Sequence, residues 1–135
     1  EYSKKDQIKH MSFPNYFLNQ GVIPHGQAIN EQLSKLGIKT SDLEYVLLSH
    51  MHTDHASGLK LVKDAKNILL SDLELEDTKK YSVRYASPMW DGVPLSTFSF
   101  KNSGISPVGK SYDLFNDGSI LLVNISGHTN GLFAI

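Results

Sequence analysis

The stretch that most constrains this chain joins a buried strand to a turn crowded with metal-ligand side chains. The apolar run at 45–48, Tyr-Val-Leu-Leu, predicts a short buried strand. It leads into His50-Met51-His52-Thr53-Asp54-His55, and residues 56–63 then have the pattern of a starting helix. The ligands therefore fall on a turn between a strand end and a helix start, where several side chains can point at one spot.

The spacing His-x-His-x-Asp-His has a chemical reason. Alternate residues of extended backbone share a face, so His50 and His52 can hold one ion together. Asp54 and His55 come at the turn into the helix and point towards a second ion. Imidazole with carboxylate suits zinc, and also iron or manganese. The alternative is a turn that is merely rich in His and Asp, since short motifs also arise by chance.

A second turn supplies another candidate ligand. His128 follows a strand-like run and lies between Gly127 and Gly131, which allow a close approach of the backbone. Taken alone, it would be a plain turn histidine. Beside the first motif it completes the set His50, His52 and His128, and three protein ligands with one open position are typical of a catalytic zinc rather than a structural one.

Composition narrows the class of protein. The chain has 135 residues, 40% of them hydrophobic, and a net charge of −1, as expected for one ordinary globular domain. It has no basic patch of the kind that binds nucleic acid and no apolar run long enough for a membrane span. It contains no cysteine, which predicts neither disulfides nor thiolate ligands and favours a reducing compartment, the cytoplasm.

Periodicity and turn residues predict an α/β order of elements. The pattern indicates a helix at 27–36 ended by Gly37, a helical turn at 40–42, strands at 45–48 and 67–70, and a helix from Ser71 or Asp72 to about Tyr85. Two runs at 111–115 and 119–125 flank Asn116-Asp117-Gly118, a strong hairpin signal, and a last strand begins at Leu132.

Two segments are less regular in sequence. Residues 1–26 are polar and broken by Pro and Gly, which predicts an irregular segment in which His10 and His25 are solvated loop histidines. The apolar side chains at 89–100 have two interpretations, the edge of the core or an apolar wall for a substrate, because ligand pockets are mostly apolar.

Both turns resemble the metallo-β-lactamase superfamily. The stretch from His50 to His55 matches its signature loop, and the stretch from Gly127 to Gly131 matches its next metal-binding turn. Residues 36–59 look most like the N-acyl homoserine lactonase-like branch. The resemblance implies an α/β fold, the αββα sandwich with a mixed sheet and covering helices, of which residues 1–135 would be a single partial domain.

The resemblance also implies roles for individual residues. His50, His52 and His128 would hold the first of two zinc ions, and Asp54 and His55 the second, with iron or manganese as alternatives. A metal-bound hydroxide would then open an ester or lactone bond of a small-molecule substrate, and Asp54 would act as the catalytic acid that protonates the leaving group.

The chain departs from the family pattern in two places. Nothing before residue 27 matches the family's early Asp-Thr-Gly segment, and neither the metal-bridging Asp nor the last His of the family follows His128. We therefore expect an internal, inactive piece of a longer enzyme, with exposed sheet edges that favour self-association. A phosphodiesterase or nuclease-type member and a non-catalytic metal-binding fragment remain as alternatives.

Overall fold

The computed structural model describes residues 4–11, 13–18, 23–105 and 107–135. Its helices are α1 (Lys4–Met11), α2 (Phe13–Leu18), α3 (Ile29–Lys35), α4 (Thr53–Ala56) and α5 (Asp72–Lys80). Short 3-10 helices lie at Thr40–Asp42, Leu59–Val62, Ser82–Arg84 and Ser87–Met89. The strands are β1 (Val46–Leu47), β2 (Ile68–Ser71), β3 (Leu95–Phe98), β4 (Lys101–Asn102), β5 (Lys110–Asp113), β6 (Leu121–Asn124) and β7 (Phe133–Ala134).

The first sheet is parallel and has the order β1-β2-β3. Its central strand β2 is buried along its whole length, as its unbroken apolar sequence Ile-Leu-Leu predicts for a strand covered on both faces. Since parallel strands end at the same edge, the segment after β1 and the segment after β2 begin side by side. In open α/β sheets, ligands bind outside this carboxyl edge.

The second sheet is antiparallel and has the order β4-β5-β6-β7. The predicted hairpin joins β5 to β6, and its turn places Asn116 at φ 58° and Gly118 at φ 76°. Asn and Gly tolerate these left-handed angles better than other residues. The next turn, between β6 and β7, carries His128.

The strand β2 separates two cores. Ile68 and Leu70 pack with side chains of the helical segments and of the loop His50–His55, which we call the metal loop after its candidate ligands. Leu69 faces the antiparallel sheet, as the alternation of side chains along a strand requires. The first core contains Leu48, Met51, Ala56, Leu59, Ala65, Tyr85, Ala86 and Met89, and the second contains Phe98, Leu114, Leu122 and Phe133. This layering, with parallel and antiparallel strands and covering helices, confirms the α/β class and is consistent with the expected sandwich.

Within residues 1–26, the prediction of an irregular segment is wrong for α1 and α2, and residues 1–3, 12 and 19–22 lie outside the described part of the chain. These helices lack a clear apolar period of their own, and tertiary contacts stabilise them instead. Met11 packs against the first core, and α1 contacts the segment Ser87–Met89. His10 is also not a loop histidine, because it lies on α1 and its Nε2 donates to the carbonyl of Ser57 at 3.0 Å. His25 is exposed, as predicted.

The apolar stretch at 89–100 forms part of the core. Met89 and Phe98 are buried in the first and second core respectively, and Trp90 packs against the first. The interpretation as a core edge is therefore confirmed for these side chains. Among the helices that the structure describes, none is both long and apolar enough to cross a membrane.

The contact between β2 and the His128 turn predicts the effect of one glycine. A Cβ added at Gly131 would clash with the backbone nitrogen of Glu74 and with Oγ of Ser71. We expect Gly131→Ala to lower the free energy of unfolding by about 1–3 kcal/mol, the usual cost of overpacking, in a urea titration. Gly58→Ala is the control, because an added Cβ there would meet only Ile29 at 3.5 Å. Equal unfolding free energies for both variants would contradict the predicted clash.

Candidate metal centre

The metal loop begins where β1 ends, at the carboxyl edge of the parallel sheet. His50 is only 4% exposed, and Met51 is fully buried in the first core, which anchors the loop. His52 is the N-cap of α4, so its backbone is still extended while the next residue is helical. The candidate ligand side chains therefore lie together at the sheet edge, two on the extended backbone around Met51 and two on the first turn of α4: His50, His52, Asp54 and His55.

The second turn brings His128 to the same place. Nδ1 of His52 lies 2.9 Å from Nε2 of His128, although 76 positions separate the two residues. The ring centroids of His50 and His52 are 5.0 Å apart, and those of His50 and His128 are also 5.0 Å apart. One nitrogen from each of the three rings lies within 4.8 Å of the others. The structure therefore brings together the three histidines that the sequence pattern grouped.

Asp54 and His55 form a second group with His50. Ligand atoms of these three residues also lie within 4.8 Å of one another. The rings of His50 and His55 are 4.1 Å apart, and Nε2 of His55 lies 3.5 Å from Oδ2 of Asp54. The Asp54 side chain is 75% exposed, so it faces the open side of the site. His50 belongs to both groups, a sharing that the sequence spacing alone did not predict.

The buried ring of His50 supplies a test of whether these residues fit a metal. Its Nδ1 contacts Oγ of Ser49 at 3.2 Å, but its buried Nε2 has no hydrogen-bond partner among the described residues. A buried polar atom without a partner is costly. The ring that carries this nitrogen lies beside three other imidazoles and is grouped with the carboxylate of Asp54, and these are the donors that zinc, iron and manganese accept. The arrangement fits a bound metal ion.

Electrostatics favour the neutral form of His50 and His52. Burial, reinforced by His55, His52 and His128, lowers the pKa of His50 from 6.5 to about 4. Burial and then the neighbouring His128 and Arg84 lower the pKa of His52 as well. Because imidazole binds a metal only when neutral, both rings are ready to ligate at neutral pH without first losing a proton.

Sequence reasoning missed several residues beside the site. The ring of Tyr85 lies 5.2 Å from that of His52 at an angle of 32°, and Nη2 of Arg84 donates to the carbonyl of His128 at 3.3 Å. Burial and the carboxylates of Glu74 and Asp77 raise the pKa of the Tyr85 phenol. The sequence pattern placed Tyr85 only as the end of a helix, and no local signal indicated that this segment folds back onto the histidines.

Comparison with known proteins gives a family and a set of relatives. A family model described as the metallo-beta-lactamase superfamily matches residues 21–135. The N-acyl homoserine lactonase AttM of Azorhizobium caulinodans is 26% identical over 106 residues, which cover 74% of this chain and 38% of the relative. The AttM lactonase of Agrobacterium fabrum is 22% identical over 116 residues, covering 82% of this chain and 41% of the relative. The chain thus spans about two fifths of the length of these curated relatives.

His50 belongs to both candidate ligand groups, and this predicts the effect of removing its ring. We expect His50→Ala in the whole protein to lower the affinity for zinc by more than about 100-fold, because the ring of His50 belongs to both candidate ligand groups. Loss of a residue that only supports a ligand typically costs about 10–100-fold in metal affinity, and loss of a ligand should cost more. His25→Ala is the control, since the His25 side chain is 99% exposed and belongs to neither group. Equal metal content of the wild type and His50→Ala by elemental analysis would rule out this assignment.

Proposed function

The chain belongs to the metallo-beta-lactamase superfamily, and on that premise we propose that the whole protein is a metal-dependent hydrolase that opens an ester or lactone bond. The observation that carries the proposal is the convergence of two histidines and an acid–histidine pair on His50, whose buried Nε2 has no hydrogen-bond partner among the described residues. The similarity to proteins named as N-acyl homoserine lactonases supports a lactone among the possible esters.

We assign the metal ligands as two sets that meet at His50. His50, His52 and His128 hold the first ion, and Asp54 and His55 hold the second beside His50. Zinc is the metal that we propose, with iron or manganese as alternatives, because the donors are imidazole nitrogens and one carboxylate with no thiolate. Zinc bound there would lower the pKa of a bound water to about 7 and polarise the substrate carbonyl.

Asp54 is the residue that we place at the leaving group. Its exposed carboxylate lies at the start of α4, on the open side of the histidines. In the hydrolysis, a water oxygen bonds to the carbonyl carbon, the bond from that carbon to the leaving oxygen breaks, and a proton must reach the leaving oxygen. Asp54 can carry this proton from the attacking water to the leaving oxygen, which makes it a general acid as well as a ligand.

A small molecule is the substrate class that the chain's charge supports. The net charge of −1 gives no general attraction to a phosphate backbone, which argues against a nuclease-type activity. We also propose the cytoplasm as the site of action, because these 135 residues contain no cysteine and so form no disulfide that an oxidising compartment would favour. A nucleic-acid affinity that falls steeply with salt would instead favour the phosphodiesterase alternative.

The dual role of Asp54 predicts a dependence on the leaving group. In the whole protein saturated with zinc, we expect Asp54→Asn to lower kcat by about 10²–10⁴-fold, the usual range for general acid–base help. The loss should be larger for a lactone or ester with a poor leaving group than for one with a good one. Asp91→Asn, at an exposed position of the same side-chain type, is the control. Equal losses on both substrates would leave Asp54 as a ligand only.

Self-association is a further part of the proposal. Among the described strands, β1 and β3 are the edges of one sheet and β4 and β7 the edges of the other. Edge strands have backbone groups that can pair with a second copy of the chain. We propose that this 135-residue chain associates through such an edge.

The β3 edge allows a direct test of self-association. We expect the apparent mass by light scattering to rise with protein concentration. Thr97→Lys, at an exposed position of β3, should reduce this rise, because a lysine on an edge strand opposes pairing with another strand. Ser41→Lys, on the exposed 3-10 helix Thr40–Asp42, introduces the same charge away from the strands. A monodisperse monomer at every concentration would refute self-association, and equal effects of both lysines would exclude β3 as the edge.

A further inference from the structure

One face of α5 is polar and yet buried. Ser71, Glu74 and Asp77 follow one another at intervals of three, so they lie on one side of the helix and its N-cap. Ser71 and Glu74 are 0% exposed and Asp77 is 6% exposed. Charged side chains are almost never buried without partners, so this face requires specific contacts. All three residues contact one of the two turns that carry the histidines.

The side chain of Glu74 binds the backbone of the metal loop. Oε1 of Glu74 accepts a hydrogen bond from the N–H of Met51 at 2.9 Å. Met51 lies between His50 and His52, so this bond fixes the peptide that joins the two ligands. A hydrogen bond to a carboxylate is roughly twice as strong as one between neutral groups, and here it is buried.

Asp77 binds the second turn through Asn130. Its Oδ2 accepts from the backbone N–H of Asn130 at 3.1 Å, and both carboxylate oxygens accept from Nδ2 of Asn130 at 2.9 Å. Asn130 is two residues after His128. Asp77 therefore holds the turn that carries His128, and its contact lies two residues along the chain from that histidine.

Ser71 closes the same turn from the helix N-terminus. Its Oγ accepts from the N–H of Glu74 at 3.1 Å as an N-cap and donates to the carbonyl of Gly131 at 2.8 Å. Gly131 approaches so closely that any side chain would strike Glu74. The His128 turn is thus bonded to the helix at Asn130 and at Gly131.

We propose that this face of α5 positions both ligand-bearing turns, with Glu74 placing His50 and His52, and with Ser71 and Asp77 placing His128. The inference rests on the metal site of the proposed function and adds to it three positioning residues that do not touch the ion. A rigid helix joins the two turns, so the distance between the two halves of the site is set by the spacing of Glu74 and Asp77 along α5.

The test compares zinc affinity in variants of the whole protein. Glu74→Leu and Asp77→Leu remove the carboxylate that accepts these hydrogen bonds, and each should weaken zinc binding by about 10–100-fold in a calorimetric titration. Glu74→Gln keeps an oxygen for the N–H of Met51 and should recover most of the affinity. Glu76→Leu, on the exposed side of α5, makes the same change as Glu74→Leu and should bind zinc like the wild type.

A second readout identifies the histidine that each variant affects. Ring-nitrogen NMR signals of histidine shift when zinc binds. At a zinc concentration that saturates the wild type, Asp77→Leu should lose the zinc-bound signal of His128 first, and Glu74→Leu should lose those of His50 and His52. General destabilisation would not divide the histidines in this way. Far-ultraviolet circular dichroism of the metal-free proteins controls for folding.

A milder variant keeps the proposal open to refutation when a leucine variant does not fold. Asn130 is exposed, and Asn130→Ala removes both Nδ2 bonds to Asp77 without burying anything new. We expect about tenfold weaker zinc binding, centred on His128. Asn102→Ala, at another exposed asparagine, is its control.

The outcomes separate this proposal from the proposed function. Zinc affinity unchanged in Asn130→Ala and in every folded leucine variant, or signal losses that do not divide between the turns, would overturn the positioning role. A wild-type protein that binds zinc but hydrolyses no ester or lactone would refute the hydrolase while leaving the positioning role standing. A whole protein that takes up neither zinc nor iron nor manganese would refute both.

Discussion

The parallel pairing of β1 with β2 is the constraint on which the site depends. Val46 pairs with Ile68 and Leu47 with Leu69, so both strands run to the same edge of the sheet, where β2 continues to Ser71. The metal loop leaves the first strand and α5 begins directly after the second, and their proximity follows from the register alone. A shift of one residue would turn every side chain of the two strands to the opposite face and separate the loop from the helix.

The histidines at this edge oppose the stability of the fold that holds them. Four imidazoles lie close together, and one is buried with a free nitrogen. Each added proton would place a positive charge beside the other rings, so burial and repulsion keep His50 and His52 neutral. A core built for stability alone would not group these side chains. A ligand that accepts several imidazoles at once, such as the proposed metal ion, would offset this cost.

The sequence predicted the parts of this structure that depend on local patterns. The strand before the His50–His55 loop, the hairpin at Asn116-Asp117-Gly118 and a helix start at Ser71 or Asp72 all come from short-range spacing. The structure contains each of them, with Ser71 as the N-cap of α5. The grouping of His128 with the first motif was predicted because glycines marked a second turn. Its role and those of the other candidate ligands remain predictions.

The parts that escaped prediction depend on long-range contacts. Glu74 contacts Met51 across 23 positions and Asp77 contacts Asn130 across 53, and no period in the sequence links such pairs. In the sequence, Glu74 simply lies in the first turn of the predicted helix, where acidic residues are common. The helices α1 and α2 were missed for the same reason, because tertiary contacts rather than their own pattern stabilise them: α1 contacts the first core and Ser87–Met89, and α2 contacts α1 and Ser82–Arg84.

The contact between His52 and His128 has a consequence for the unfolded chain. The two residues are 76 positions apart, and the protein has no cysteine with which to cross-link distant segments. An ion held by both rings would close that loop as a disulfide does, which corresponds to about 4–5 kcal/mol of lost chain entropy in the unfolded state. The site would then be a reversible cross-link, and the availability of the ion would set how firmly the antiparallel sheet is tied to the parallel one.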